Sequence, residues 1–262
     1  MPTTTLSPAA ELQRAIEILT KNWILAIPTA LASLVMAILT VFLFVSLIGT
    51  AAVGGALGGH AGAGLAALSG GVLYGGLFAV IAIVVNVLAQ AVVMQSSEDA
   101  WSGRAVDLMR SLATVTPKLI PLAIALVLCF LVLLIPALLC VFLIGFPLVL
   151  IVGFFLMYVV PAVIIGGESP TAALSSSYRI VRANLGPSII AFLGIVVALI
   201  VFGIINSIVA HIPIVNLVVP FLVGGFASAF AALVAARFYD LLREGGSAAA
   251  TFAPNLPPPN PL

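Results

Sequence analysis

Few side chains in this sequence are able to do chemistry, and they are scattered along it. His60 and His211 are the only histidines. A general base or a metal site needs such groups clustered, yet both are expected in exterior loops with no carboxylate nearby. Cys129 and Cys140 sit inside apolar stretches, without metal-ligand spacing, and read as small core hydrophobes. Glu98, Asp99 and Asp107 are interleaved with Arg104 and Arg110, a mixture that reads as solvated ion pairing. No group of nucleophile, base and orienting residue emerges. The expectation is a protein that is not an enzyme, with no catalytic residue, metal or cofactor.

Asn86 and Gln90 carry more information. They stand one helical turn apart inside an apolar run, so both amides share a face. An amide in hydrocarbon is costly unless hydrogen-bonded. The expectation is interhelical bonding, with Asn206 or Ser207 as partners; the alternative is a polar cavity near Asn86, Gln90 and Asn206 in a small transporter or channel. No ionisable residue falls in mid-crossing, so the usual mark of a proton-coupled pump is missing. Gly71 and Gly75 give a GxxxG spacing that permits close helix approach, a weak signal in a chain with 23 glycines.

These residues must be positioned by elements that live in lipid. Charged residues make up 6% of the 262 residues, hydrophobic residues 63%, and mean hydropathy is +1.36. Soluble domains carry roughly 25% charge. A net charge of +1 argues against a nucleic-acid partner, which demands a dense basic field; the expected partners are membrane lipids.

A bilayer core asks for roughly 20 apolar residues per helix. Crossings are expected over 23–48, 72–94, two within 119–166, 187–210 and 214–236, with Gly145-Phe146-Pro147 turning the third into the fourth and His211-Ile212-Pro213 the fifth into the sixth. The stretch 49–71 is rich in glycine and reads as a flexible loop. Residues 1–244 form one integral membrane domain, and 245–262 a disordered Pro-rich tail. All nine basic residues fall at the N-terminus, between 104 and 118, at Arg179 and Arg182, and at Arg237 and Arg243. Lys and Arg resist translocation, so these regions belong to the cytoplasmic side. The fold class is therefore all-α, a polytopic bundle of six crossings in the cell membrane with both termini cytoplasmic.

A short amphipathic segment precedes each pair of crossings. With Leu12, Leu108 and Leu174 in register, the apolar stripes are Leu12, Ile16, Leu19, Trp23; Leu108, Leu112, Val115, Leu119; and Leu174, Tyr178, Val181, Leu185. Steps of four, three and four lie on one helical face. Ser7-Pro8 matches Ser169-Pro170, and Asn22 matches Asn184. The expectation is a threefold repeat over 7–94, 100–166 and 169–240, each an interfacial helix followed by two crossings. The stripes would sink into the acyl boundary, with Lys21, Lys118, Arg179 and Arg182 at lipid headgroups or a partner.

The run Glu168-Ser169-Pro170-Thr171-Ala172-Ala173-Leu174-Ser175-Ser176-Ser177-Tyr178-Arg179, after Val159-Val160-Pro161, resembles a large group of bacterial and archaeal multi-pass proteins. The group includes the membrane domain attached to some glycerophosphoryl diester phosphodiesterases. The likeness covers about residues 10 to 240. It implies a six-helix membrane domain with cytoplasmic connecting helices, and it carries over no catalytic residue. The functional expectation is a lipid-interface scaffold or accessory protein.

Overall fold

The computed structural model describes residues 7–140, 143–209 and 219–244, which are helical almost throughout and contain no strand. The order is α1 (Pro8–Lys21), α2 (Ile27–Trp101), α3 (Leu108–Val115), α4 (Leu119–Leu139), α5 (Gly145–Leu156), α6 (Val159–Ile164), α7 (Pro170–Ala183), α8 (Leu185–Val209) and α9 (Val219–Glu244). Among the described residues, five stretches are long and apolar enough to cross a bilayer: Trp23–Ala56, Leu108–Leu139, Gly145–Ile164, Leu185–Val209 and Val219–Arg243. That is the make-up of an integral membrane protein.

The stretch 49–71 is not the flexible loop its composition suggests. Helix continues through it from both sides and breaks only at Gly59, at φ 62° and ψ −152°. A side chain is strained there, so glycine makes the reversal. The chain folds back: a Cβ on Gly70 would stand 2.8 Å from the Thr50 hydroxyl oxygen. In an unbroken helix those residues lie about 30 Å apart. We call the two halves the first and second arms of α2.

The long apolar run 119–166 also differs in detail from its sequence reading. Pro136 stays inside α4, and the connection leads into α5 at Gly145. The following crossing is broken in two at Met157–Tyr158. Pro161 has no N–H for the carbonyl four residues back and crowds it. Ser177 bridges the break: its hydroxyl donates to the Phe155 carbonyl at 2.7 Å and accepts from the Tyr158 N–H at 3.2 Å. The His211-Ile212-Pro213 turn and the tail 245–262 lie outside the described residues.

The short amphipathic helices begin and end as their caps dictate. Ser7 Oγ accepts from the Ala10 N–H, with proline following; Asp107 accepts from the Met109 and Arg110 N–H groups. Asn22 and Asn184 share one non-helical conformation, and their side-chain amides donate to the Ile18 and Ile180 carbonyls. Each asparagine thereby stops its helix and lets the chain turn into the next crossing.

The expected stripes are divided between two surroundings. Seven residues after Leu12, Leu108 and Leu174, the side chains of Leu19, Val115 and Val181 are buried, and three residues after them so are Ala15, Ser111 and Ser177. Four residues after, Ile16, Leu112 and Tyr178 are all exposed, and Trp23 and Leu185 are exposed as well. The helix face therefore splits into an inner half packed on protein and an outer apolar half. The packing is cyclic: α3 lies on α2, α7 on α4, α5 and α6, and α1 on α8 and α9.

The centre is the C-terminal half of α9, with Ala229, Leu233, Val234, Ala236, Phe238 and Tyr239 at most 2% exposed. Hydrophobic burial does not drive helices together in lipid, so small residues that admit close approach carry the packing. A Cβ on Gly225 would stand 2.6–2.7 Å from the Cβ, Cα and N of Ala30, and Thr29 Oγ1 donates to the Gly225 carbonyl at 2.7 Å. These contacts join α9 to the first arm.

Candidate functional site

Polar side chains converge at one end of the bundle. Glu11 on α1 is 2% exposed, and its Oε2 accepts from Arg237 Nε of α9 at 3.0 Å. The Arg237 guanidinium lies over the Trp101 ring, 4.9 Å from its centre, and Arg14 approaches the same ring at 5.7 Å. Glu11 Oε1 and Trp101 Nε1 are both buried without a protein hydrogen-bond partner. A few residues along α9, the Tyr239 hydroxyl donates to Glu168 Oε1 at 3.2 Å, which also accepts from Ser176 at 3.0 Å; Arg243 sits over the Tyr239 ring.

The four charged regions of the sequence are thereby gathered. The N-terminal helix meets the last helix through Glu11 and Arg237, the end of the second arm joins through Trp101, and the segment before α7 joins through Glu168. A buried carboxylate–guanidinium pair stacked on indole is a tie rather than a reactive group. The other two helix-on-bundle contacts carry polar ties of their own. Ser111 and Ser96 share a hydrogen bond of 2.8 Å, and Ser177 bridges the break between α5 and α6.

The residues singled out from sequence fall in different places. Lys21, Arg179 and Arg182 are exposed on α1 and α7. Lys118 is partly buried, and its Nζ donates to the Ile164 carbonyl at the end of α6. Asn86 and Gln90 are partly buried on the second arm, where the Asn86 amide nitrogen donates to the Ala82 carbonyl of its own helix at 3.0 Å. Asn206 lies on α8, which packs on α9, α1 and α7, and its amide oxygen is buried without a partner. Asp99 in the last turn of α2 pairs with the exposed Arg104 at 2.8 Å, and Asp107 is the cap of α3. Glu11, Trp101, Glu168, Arg237 and Tyr239 escaped the sequence reading. The available signal was the Ala- and Gly-rich run of α9, which marks a helix packed on all sides.

Two clefts open sideways into the surface that faces lipid, both walled by hydrocarbon side chains. One of about 730 Å³ runs along the first arm from Ile27 to Val41 and is closed by Phe221 and Leu222 of α9. The other, of about 340 Å³, lies between the two arms and α3.

Fold and site together define the class: an all-helical membrane protein whose connecting helices are tied into one end of its bundle. No family model, curated protein or solved structure matches this chain. The resemblance to the phosphodiesterase-linked membrane domain rests on its sequence motif alone.

Proposed function

We propose that the chain is a non-enzymatic protein of the cell membrane, built from three repeats and six crossings. Both termini are cytoplasmic, and it acts as a scaffold or accessory at the lipid interface. The observation that carries this reading is the cyclic packing, in which each short amphipathic helix lies on the crossings of the preceding unit and α1 closes onto the last. The shared burial of Ala15, Ser111 and Ser177, and the shared exposure of Ile16, Leu112 and Tyr178, support the repeat. The fold-back at Gly59 supports a sixth crossing in the second arm. The outer apolar faces of α1, α3 and α7 would rest in the acyl boundary, with Lys21, Arg179 and Arg182 toward headgroups.

Single cysteines at positions 60 and 103, in a chain lacking Cys129 and Cys140, test the topology in sealed cells. A membrane-impermeant maleimide should label position 60 alone from outside. Labelling of both from one side would overturn the reading. For the interfacial role, Arg179→Glu with Arg182→Glu should weaken association with phosphatidylglycerol in nanodiscs, and unchanged association would count against it.

A second reading is a small transporter or channel, which the buried, unpartnered amide oxygen of Asn206 favours. Solute flux in liposomes that is abolished by Asn206→Leu would promote it.

A further inference from the structure

The smaller cleft lies where α3 meets the two arms of α2. At the closure of the ring, Leu12 of α1 packs down on Gly194 of α8, where a Cβ would stand 2.7 Å from the Leu12 methyl carbon. The residues in equivalent register on the next contact are Leu108 of α3 and Ala32 of the first arm, and both line the cleft. Where α1 meets a glycine on α8, α3 meets the methyl-bearing Ala32, which is buried in the wall of the cleft. The helix is also shorter there, 8 residues against 14 in α1 and in α7. What remains is about 340 Å³ walled by Leu31, Ala32, Leu88, Ala89, Leu108 and Met109 among others, within the usual span of roughly 300–1,000 Å³ for ligand sites.

The occupant follows from the walls, the surroundings and the size. Water finds no hydrogen-bonding partner on such a lining, and the helices that form it are immersed in hydrocarbon. The cleft is narrow against a protein helix about 10 Å across, and a segment of unbranched acyl chain can lie along it with the remainder in the bilayer. Beside Met109, which is 75% exposed, Arg110 is exposed on α3 and enters no ion pair among the described residues. We infer that the cleft holds one acyl chain of a bilayer phospholipid, with Arg110 meeting its phosphate. This rests on the interfacial reading above and names its ligand.

The full chain, reconstituted in vesicles of phosphatidylcholine and phosphatidylglycerol bearing a photoreactive group in the acyl chain, provides the test. Peptide mapping should find Leu88 and Met109 labelled about tenfold more densely than the lipid-facing Leu131 of α4, a ratio that reports differential binding. Ala89→Phe, which fills the cleft, should bring Met109 down to the Leu131 level. If that variant misfolds, Met109→Glu at the exposed mouth should bring Leu88 down to the Leu131 level. Arg110→Glu should remove the preference for phosphatidylglycerol at Met109. Equal labelling of Met109 and Leu131, labelling unmoved by filling, an unchanged lipid preference in Arg110→Glu, or cross-links to a second copy would each overturn the site. Loss of labelling at Leu131 itself would instead overturn the membrane-embedded reading on which it depends.

Discussion

Replacing Arg237 with leucine should be among the most damaging single changes to this bundle. The pair it makes with Glu11 is asymmetric: the carboxylate side chain is 1% exposed and the guanidinium 26%. Removing the arginine leaves a buried carboxylate with one oxygen already lacking a protein partner. Breaking a buried pair from one side costs about 3–5 kcal/mol, and Arg237→Leu belongs at the upper end of that range. Glu11→Leu should cost less, toward the lower end, because the guanidinium keeps its partial exposure and its place over Trp101. The double variant puts two apolar side chains face to face, a replacement that is often nearly neutral. The double-mutant cycle should therefore show a coupling of at least about 2 kcal/mol. Titration of purified protein with sodium dodecyl sulfate in mixed micelles, followed by tryptophan fluorescence, measures each of these, and Trp101 reports from the site itself. Asp99→Asn is the control, since it breaks a pair whose arginine is 64% exposed and should cost about 0–1 kcal/mol. An Arg237→Leu effect no larger than this control would refute the claim that the ring is closed by a buried tie.

Other consequences are open to the same assay. Gly225→Ala presses a methyl against the backbone of Ala30 and should destabilise by about 1–3 kcal/mol. Gly203→Ala on α8 meets nothing within 4 Å and should stabilise by up to about 1 kcal/mol; equal effects at the two sites would argue against close approach of α9 to the first arm. Ser177→Ala strands the Tyr158 N–H and should cost about 1–3 kcal/mol, whereas Ser111→Ala should cost less because Ser96 keeps its bond to the Val92 carbonyl. At Gly59, substitution by valine should lower stability by about 1–3 kcal/mol, because its positive φ with strongly negative ψ is essentially open to glycine alone, with proteolysis of the hairpin rising in proportion.

What local chemistry controls was legible in the sequence. Ser-Pro starts, asparagine stops and the spacing of three leucines mark where the short amphipathic helices lie, and length with hydropathy marks the apolar spans. The two arms of α2 were harder to read, because glycine count suggests looseness while only Gly59 adopts a conformation that needs glycine. The break at Met157–Tyr158 had a cue in Pro161, but its completion by Ser177 depends on a helix that arrives later in the chain. The tie between Glu11 and Arg237 left no local trace: nothing near either residue distinguishes it from a charge in solvent. The stripes were read as single faces since periodicity gives direction around a helix, not which neighbour covers each half.

The hairpin of α2 has a reach beyond its packing. Its first apolar stretch runs for 34 residues, about 50 Å of helix, against a hydrocarbon thickness of about 30 Å. A rod of that length must lean steeply or stand clear of the headgroups by several turns, on the side away from the charged rim. Bilayer thickness thus becomes a mechanical variable for this molecule, since a thicker membrane lets the rod straighten and a thinner one bares its Gly59 tip.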